Sequence, residues 1–381
     1  MLKSLEGKTI LQIVPSLDVG GPERSTLDIA ASIVRAGGRA FVISAGGRMV
    51  DELEKSGATH FSWDAGSKDP RVMWKNNSLL KDFVRMEHVN LVHVRSRAPA
   101  WPAYFATRES KVPLVTTMHA SYRTIFPWIK FYNSIMTKGE RVIAISRSMA
   151  SYIEKNYTVP PQRISVIPRG IDLSVYSRDQ VSEERKEALK TSIMLPKDKP
   201  FILFPGRLMK AKGQALALEA LAKVKEPFFC LIVGPDHEHA SYREQLKQLS
   251  QNLFLQSKVS FLNHVDLPAA YALADLVITP SQVPEAFGRV SAETQAMGVP
   301  VIASNLGSIS ETVKDKETGW LVPPGDVDAL ADTIRHALSL SKEQRASMGE
   351  KATAHAKASF DMQRMCSTTL AVYAELLQKA A

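Results

Sequence analysis

The chain has 381 residues, 45% apolar and 23% charged; that length exceeds one ordinary domain and the composition is that of a soluble globular protein of two. Its longest apolar runs, such as 228–234 (FFCLIVG), are strand-sized and far short of the roughly 20 residues that span a bilayer, and Cys230 and Cys366 are too few for a disulfide framework or a thiolate zinc site, which fits a reducing cytoplasm. The net charge of +9 is uneven: residues 1–173 hold 24 Lys and Arg against 15 Asp and Glu, and the rest hold 24 of each, so the first half either meets an anionic partner or has a basic, solvated surface.

In chain order, a charged opening segment unlike a secretory leader precedes expected strands at 9–16, 40–47, 90–96, 113–120, 141–147 and 164–170. Helix-like stretches of about 10–15 residues separate them, the pattern of a parallel sheet built from βαβ units. The highly charged stretch 176–198 reads as a surface helix and linker. The alternation then restarts, with strands at 201–206, 228–234, 259–264, 276–281, 299–304 and 319–324. The expected fold class is therefore α/β: two Rossmann-like, doubly wound domains, at 1–175 and 199–359, facing a central cleft. A final helix at 360–381 is expected to pack back across their junction. Ligands in such sheets bind outside the carboxyl ends of the strands.

Chemistry-bearing residues follow strand ends. Gly20 and Gly21 lie between the first strand and the first helix, where glycine permits close backbone approach and a plain tight turn explains it equally well. Arg95, Arg97 and Trp101 follow the strand at 90–96. His119 ends the strand at 113–120, as a ligand contact or as a satisfied structural histidine. The segment 121–139 mixes Phe126, Trp128, Phe131 and Tyr132 with Arg123, Lys130 and Lys138. Aromatics beside cations suit the headgroup region of an anionic bilayer; a helix burying those rings in its own domain accounts for them too.

In the second half, Gly206, Arg207 and Lys212 occupy a strand-to-helix turn suited to a pyrophosphate. The stretch 284–298 (PEAFGRVSAETQAMG) sets Glu285 in a loop, Phe287 and Gly288 at a helix start, and Glu293 within the helix. Eight residues bring the second acid to within roughly 80° of the first and up to about 12 Å along the axis. A ligand the length of a nucleotide-sugar reaches both, and carboxylates accept readily from vicinal hydroxyls. A dipole-favouring acid plus an exposed helical glutamate is the plainer alternative. The turn at 304–313, with Gly307 and Glu311, forms a candidate wall of the same site. Asp326 and Asp328 resemble a metal-binding DxD, but after a Pro-Gly turn they read as a helix cap.

In this order, Gly20–Gly21, Thr117 and His119, 166–172 (VIPRGID), 206–213 (GRLMKAKG) and above all Glu285 to Glu293 followed by 298–304 (GVPVIAS) resemble the retaining glycosyltransferases of family 4, in the GT-B superfamily. The resemblance runs from about residue 9 to the final helix. It departs from the common family pattern at Arg169, where asparagine is usual, and at Ala120, where glycine is usual. It implies an NDP-sugar whose diphosphate is neutralised by Arg207 and Lys212 with backbone help from Gly20, Gly21 and Gly206. Glu293 then holds the ribose, Glu285 the transferred sugar with the Phe287 and Gly288 amides, and backbone near Val265 reads the base. His119 contacts the sugar, and Glu285, His119, Arg207 and Lys212 form the catalytic set.

Arg95, Arg97, Trp101, Arg123 and Arg169 are the expected acceptor contacts. No cofactor and no metal are expected. The acceptor would be an anionic saccharide or lipid-linked saccharide, with the protein cytoplasmic or peripheral on the inner face of the cytoplasmic membrane and with no nucleic-acid partner. A nucleotide-sugar 2-epimerase of the same fold and a catalytically idle sugar-nucleotide binder are the alternatives.

Overall fold

The computed structural model describes residues 5–18, 20–122, 126–235 and 240–380; Arg123 lies outside them. The chain forms two compact units, Met1–Gly170 with Met362–Ala381, and Ile171–Asp361.

The first unit contains β1 (Thr9–Ile13), β2 (Arg39–Ser44), β3 (Thr59–Ser62), β4 (Leu91–Val94), β5 (Leu114–Met118), β6 (Arg141–Ala144) and β7 (Ile164–Val166). They form one sheet in the order β3-β2-β1-β4-β5-β6-β7, and every pairing is parallel. Every residue of β1, β4 and β5 is buried, as expected of parallel strands covered by helices on both faces. The sequence did not announce β3: its four residues, THFS, are partly exposed at the sheet edge and carry no apolar run.

The second unit contains β8 (Phe201–Pro205), β9 (Phe229–Val233), β10 (Val259–Leu262), β11 (Leu276–Thr279), β12 (Val301–Ser304) and β13 (Gly319–Val322). Their order is β10-β9-β8-β11-β12-β13, again all parallel. The strand order reverses between β1 and β4 in the first sheet and between β8 and β11 in the second. In doubly wound sheets those switch points open the crevices that bind ligands.

The segment 176–198 falls differently from the sequence reading. Within 176–198, the helix Glu183–Ser192 is capped by the Ser182 hydroxyl, and Val181, Leu189 and Ile193 are buried in the core of the second unit. The stretch is a packed part of that unit, and its charges occupy only the outer face. The helix Met362–Ala380 belongs to the first unit, where Met365, Cys366, Leu370 and Tyr373 join the core around β1. Where the chain leaves that unit and where it returns, a Cβ on Gly170 would stand 2.3 Å from the Met362 Cα, so only glycine fits there. Both cysteines are free and buried. Among the described residues, no helix is long and apolar enough to cross a membrane.

Candidate active site

In the second unit, three loops leave the carboxyl ends of β8, β11 and β12 and are tied to one another around Glu285. Gly213 has φ +79° and caps the helix Gln214–Ala222; a Cβ there would meet the Pro280 carbonyl oxygen at 2.0 Å. The Gln282 amide donates to the Ala211 carbonyl at 2.8 Å, closing the first loop onto the second. From the third loop, the Ser308 amide and hydroxyl both donate to the Glu285 carbonyl, at 3.0 and 2.8 Å. Gly307, at φ +67°, leaves no room for a side chain against the Glu285 backbone. The turn at 304–313 thus fixes Glu285 from behind.

The Glu285 carboxylate faces Lys212, whose Nζ donates to Oε1 at 2.7 Å, and it accepts from the Ser281 hydroxyl. Gly206, at φ +152°, precedes Arg207, which is exposed and pairs with no carboxylate among the described residues. The Arg207 carbonyl is held by the buried Gln214 side chain at 2.9 Å. Gly288, at φ +80°, caps the helix Arg289–Ala296 without a side-chain cap, which leaves amides at its start open to an anion. Phe287 is buried edge-on against Phe360 at 5.5 Å. Val265 is half-buried against the core.

Glu293 is not the exposed helical glutamate of the plainer reading. It is 5% exposed, and both of its oxygens are engaged: Arg289 Nε donates to Oε1 at 2.6 Å and the buried Tyr271 hydroxyl to Oε2 at 3.2 Å. Desolvation, then Glu293 and Tyr176, push the Tyr271 phenol well above its usual range, so it remains a donor. Desolvation opposes the charge on Arg289, yet Glu293 and then Tyr176 together outweigh it and raise its pKa. Arg289 is a residue the sequence reading missed. An arginine at a helix start opposes the dipole, and its spacing of four from Glu293 was the available signal. Tyr271 and Tyr176 are brought in by tertiary packing and had none.

In the first unit, Gly21 lies under Arg169: a Cβ on Gly21 would stand 1.9 Å from Arg169 Nη1. Gly20 is extended and covered by Glu23, whose Oε2 would be 2.2 Å from a Cβ there. Arg169 Nη2 donates to His119 Nδ1 at 3.1 Å. Desolvation, then Arg169, Arg95 and His93, hold the His119 imidazole well below its usual pKa; it is neutral, and its Nε2 has no hydrogen-bond partner among the described residues.

Arg95, one of the expected acceptor contacts, is buried. It is 4% exposed and donates to Gln12 Oε1 at 2.7 Å. The strand end turns it inward beside fully buried His93, which bonds Thr117 Oγ1 at 2.7 Å and the Tyr373 hydroxyl. Arg97 lies 4.0 Å from the Tyr122 ring centroid and donates to Asn133 Oδ1 at 2.7 Å. Trp101 packs on Phe131 at 5.4 Å. The two organise the aromatic face of this unit. Asp326 caps the helix Val327–Ser339 by accepting from the Ala329 amide at 2.9 Å, and Asp328 pairs with Lys223.

The sequence profile of Glycosyl transferases group 1 matches residues 185–355, and that of Glycosyltransferase Family 4 matches residues 19–175. A glycosyltransferase from Rickettsia africae ESF-5 is 35% identical over 97% of this chain and 98% of its own, with a TM-score of 0.91. The chain belongs to the family 4 glycosyltransferases of GT-B fold. Anabaena HepE, solved with UDP and glucose, shares this GT-B fold at 23% identity, with 97% of this chain and 100% of that one covered and a TM-score of 0.83. The D-inositol 3-phosphate glycosyltransferase of Mycobacterium tuberculosis is 30% identical over 242 residues, 63% of this glycosyltransferase-family chain and 49% of the relative. The match thus spans about half the length of that curated relative.

Proposed function

We propose that the protein is a retaining glycosyltransferase that moves a sugar from an NDP-sugar to an anionic saccharide or lipid-linked acceptor. Its place would be lipopolysaccharide or other cell-envelope glycan assembly, on the inner face of the cytoplasmic membrane. The observation that carries the reading is the pair of carboxylates at the β8–β11 switch point, each already matched to a cation: Glu285 to Lys212, and Glu293 to Arg289.

When a diphosphate arrives, Lys212 gains a stronger anionic partner, and Arg207 and the amides beginning at Gly288 add positive potential. Glu285 is then released to accept from hydroxyls of the sugar, while Glu293 accepts from the ribose diol. The bond from C1 to the phosphate oxygen breaks as the acceptor oxygen forms its bond to C1 on the same face. The acceptor proton passes to the departing phosphate oxygen. This route asks the chain for charge stabilisation and needs no side-chain nucleophile; neutral His119 serves as a hydrogen-bond partner for the sugar.

The testing experiment is a thermal-shift screen with UDP-, GDP-, ADP- and CMP-sugars, using Arg207→Ala and Glu293→Ala as controls. A ligand at 100 times its Kd stabilises by about 2.7 kcal/mol. The expected result is a shift with one nucleotide class, lost in both variants. Isomerisation of the donor with no acceptor present would replace this reading with the epimerase, and no shift with any donor would overturn it.

A further inference from the structure

The first unit carries a second concavity, at the end of its sheet opposite His119. It is a groove of about 740 Å³ along the starts of β5 and β6 and beside the last helix, and six cations line it: Arg108, Lys111, Lys138, Arg141, Arg163 and Lys379. Only two acids join them, and Glu375 is taken by two of the six cations. Glu375 is shared by Arg141 and Lys379 at 2.7 and 2.8 Å, and Glu140 accepts from the Leu114 amide at 2.7 Å. Arg163 is held in place through carbonyls, donating to Thr137 at 3.1 Å and to Gly139, so its charge is positioned but not neutralised. Among the described residues, the buried Nε atoms of Arg141 and Arg163 have no hydrogen-bond partner. Arg108, Lys111 and Lys138 are exposed and pair with no carboxylate among the described residues.

The elements that frame this groove also bear an apolar face. On the helix Arg97–Ser110, Phe105 is 52% exposed; on the helix Pro127–Ser134, Trp128 and Phe131 are each 66% exposed. Trp101 joins Phe105 to Phe131 through ring centroids 6.1 and 5.4 Å away, and Phe126 stacks on Trp128 at 4.6 Å. Arg108 stands one turn after Phe105 near the end of the first helix, Lys111 directly follows that helix, and Lys138 follows the second by four residues, so the same two elements supply rings and groove cations. A second copy of the chain would bring six cations against six. A soluble anion would leave the rings in water. An anionic bilayer satisfies both halves, with phosphate for the guanidinium and ammonium groups and the headgroup boundary for the rings.

We infer that this face docks on an anionic bilayer, with a headgroup phosphate seated among Arg108, Lys111, Lys138 and Arg163, and with Phe105, Trp128 and Phe131 at the acyl boundary. The inference names the site behind the membrane part of the reading above and does not depend on the donor chemistry. Each basic residue near such a surface is worth about fivefold in binding.

The test is flotation of the full chain with phosphatidylcholine vesicles, with and without phosphatidylglycerol. Wild type should bind only the anionic vesicles, less well as salt rises. R108E/K111E/K138E should lose at least about 100-fold in partitioning. W128S/F131S is the independent arm: it should weaken binding about tenfold or more and abolish the blue shift of tryptophan emission on vesicles. Equal partitioning of the charge variant and wild type overturns the inference. So does release of wild type by millimolar inorganic phosphate at constant ionic strength, which marks a soluble-anion site. A concentration-dependent dimer abolished by W128S/F131S overturns it in favour of self-association. The donor-induced thermal shift is recorded alongside. Its absence in wild type with vesicle binding intact sinks the donor reading alone, and its presence in each variant shows that the variant is folded.

Discussion

The sites at the two sheet switch points handle charge in opposite ways. In the second unit every key acid has its own cation, Lys212 for Glu285 and Arg289 for Glu293, and a tyrosine or serine hydroxyl completes each pair. In the first unit two arginines, Arg95 and Arg169, are set against histidines held neutral. On the function proposed above, the pairs of the second unit would exchange partners when a diphosphate and a diol arrive. The arrangement in the first unit is a standing positive potential with neutral hydrogen-bonding groups, suited to an anionic or hydroxyl-rich molecule. Cations thus face two acids in the second unit, while burial first, and then the neighbouring arginines, keeps two imidazoles uncharged in the first.

The sharpest way to break that contrast is Lys212→Ala. If Lys212 leaves Glu285 for the leaving group, turnover should fall by about 100- to 1,000-fold, with the melting temperature little changed because the pair is partly solvated. An initial-rate assay of donor consumption checks it, and an equal loss of stability would mean a purely structural pair. Next comes Arg289→Leu, which strands a buried carboxylate. Breaking a fully buried pair costs about 3–5 kcal/mol, and since Arg289 is 41% exposed about 2 kcal/mol is expected by urea unfolding. Glu293→Gln should cost less, because the neutral amide removes the charge along with the pairing.

The first unit should answer to pH instead. The His93 imidazole is held well below its ordinary value of 6.5 by burial and then by Arg95. Below that value the unfolded chain binds a proton that the folded chain refuses. Stability is therefore complete above about pH 6.5 and falls by up to about 1.4 kcal/mol per unit as pH drops further. His93→Gln should lessen the fall of urea midpoints between pH 6.5 and 5.5, the remainder coming from groups such as His119 that are also held neutral. The smallest effect is expected for Lys223→Ala: its pair with Asp328 is exposed on both sides, so the unfolding midpoint should match wild type within error.

Most of the architecture was legible because parallel strands buried on both faces are written as short apolar runs. The edge strand β3 was not, since a half-exposed strand has no such run. The segment 176–198 misled because its charges outnumber the Val181, Leu189 and Ile193 positions that bury it. At the site, the sequence singled out Glu285, Lys212 and Gly288 by their places in two strand-to-helix loops and at one helix start. The burial of Arg95 could not be read: a strand end offers no sign of whether the next side chain turns out to solvent or in toward Gln12. The partners of Glu293 divide the same way, Arg289 by a four-residue spacing and Tyr271 only through the packing of the fold.

The last helix has a consequence for how the protein is made. The first unit takes its final core layer from Met362–Ala380, and His93 takes the Tyr373 hydroxyl from it, so that unit is incomplete until this helix has been translated. The second unit is uninterrupted in sequence and has all of its strands about 40 residues earlier. During synthesis, the half of the molecule that is translated second is thus the first able to finish, and the half that emerges first must wait with its core open.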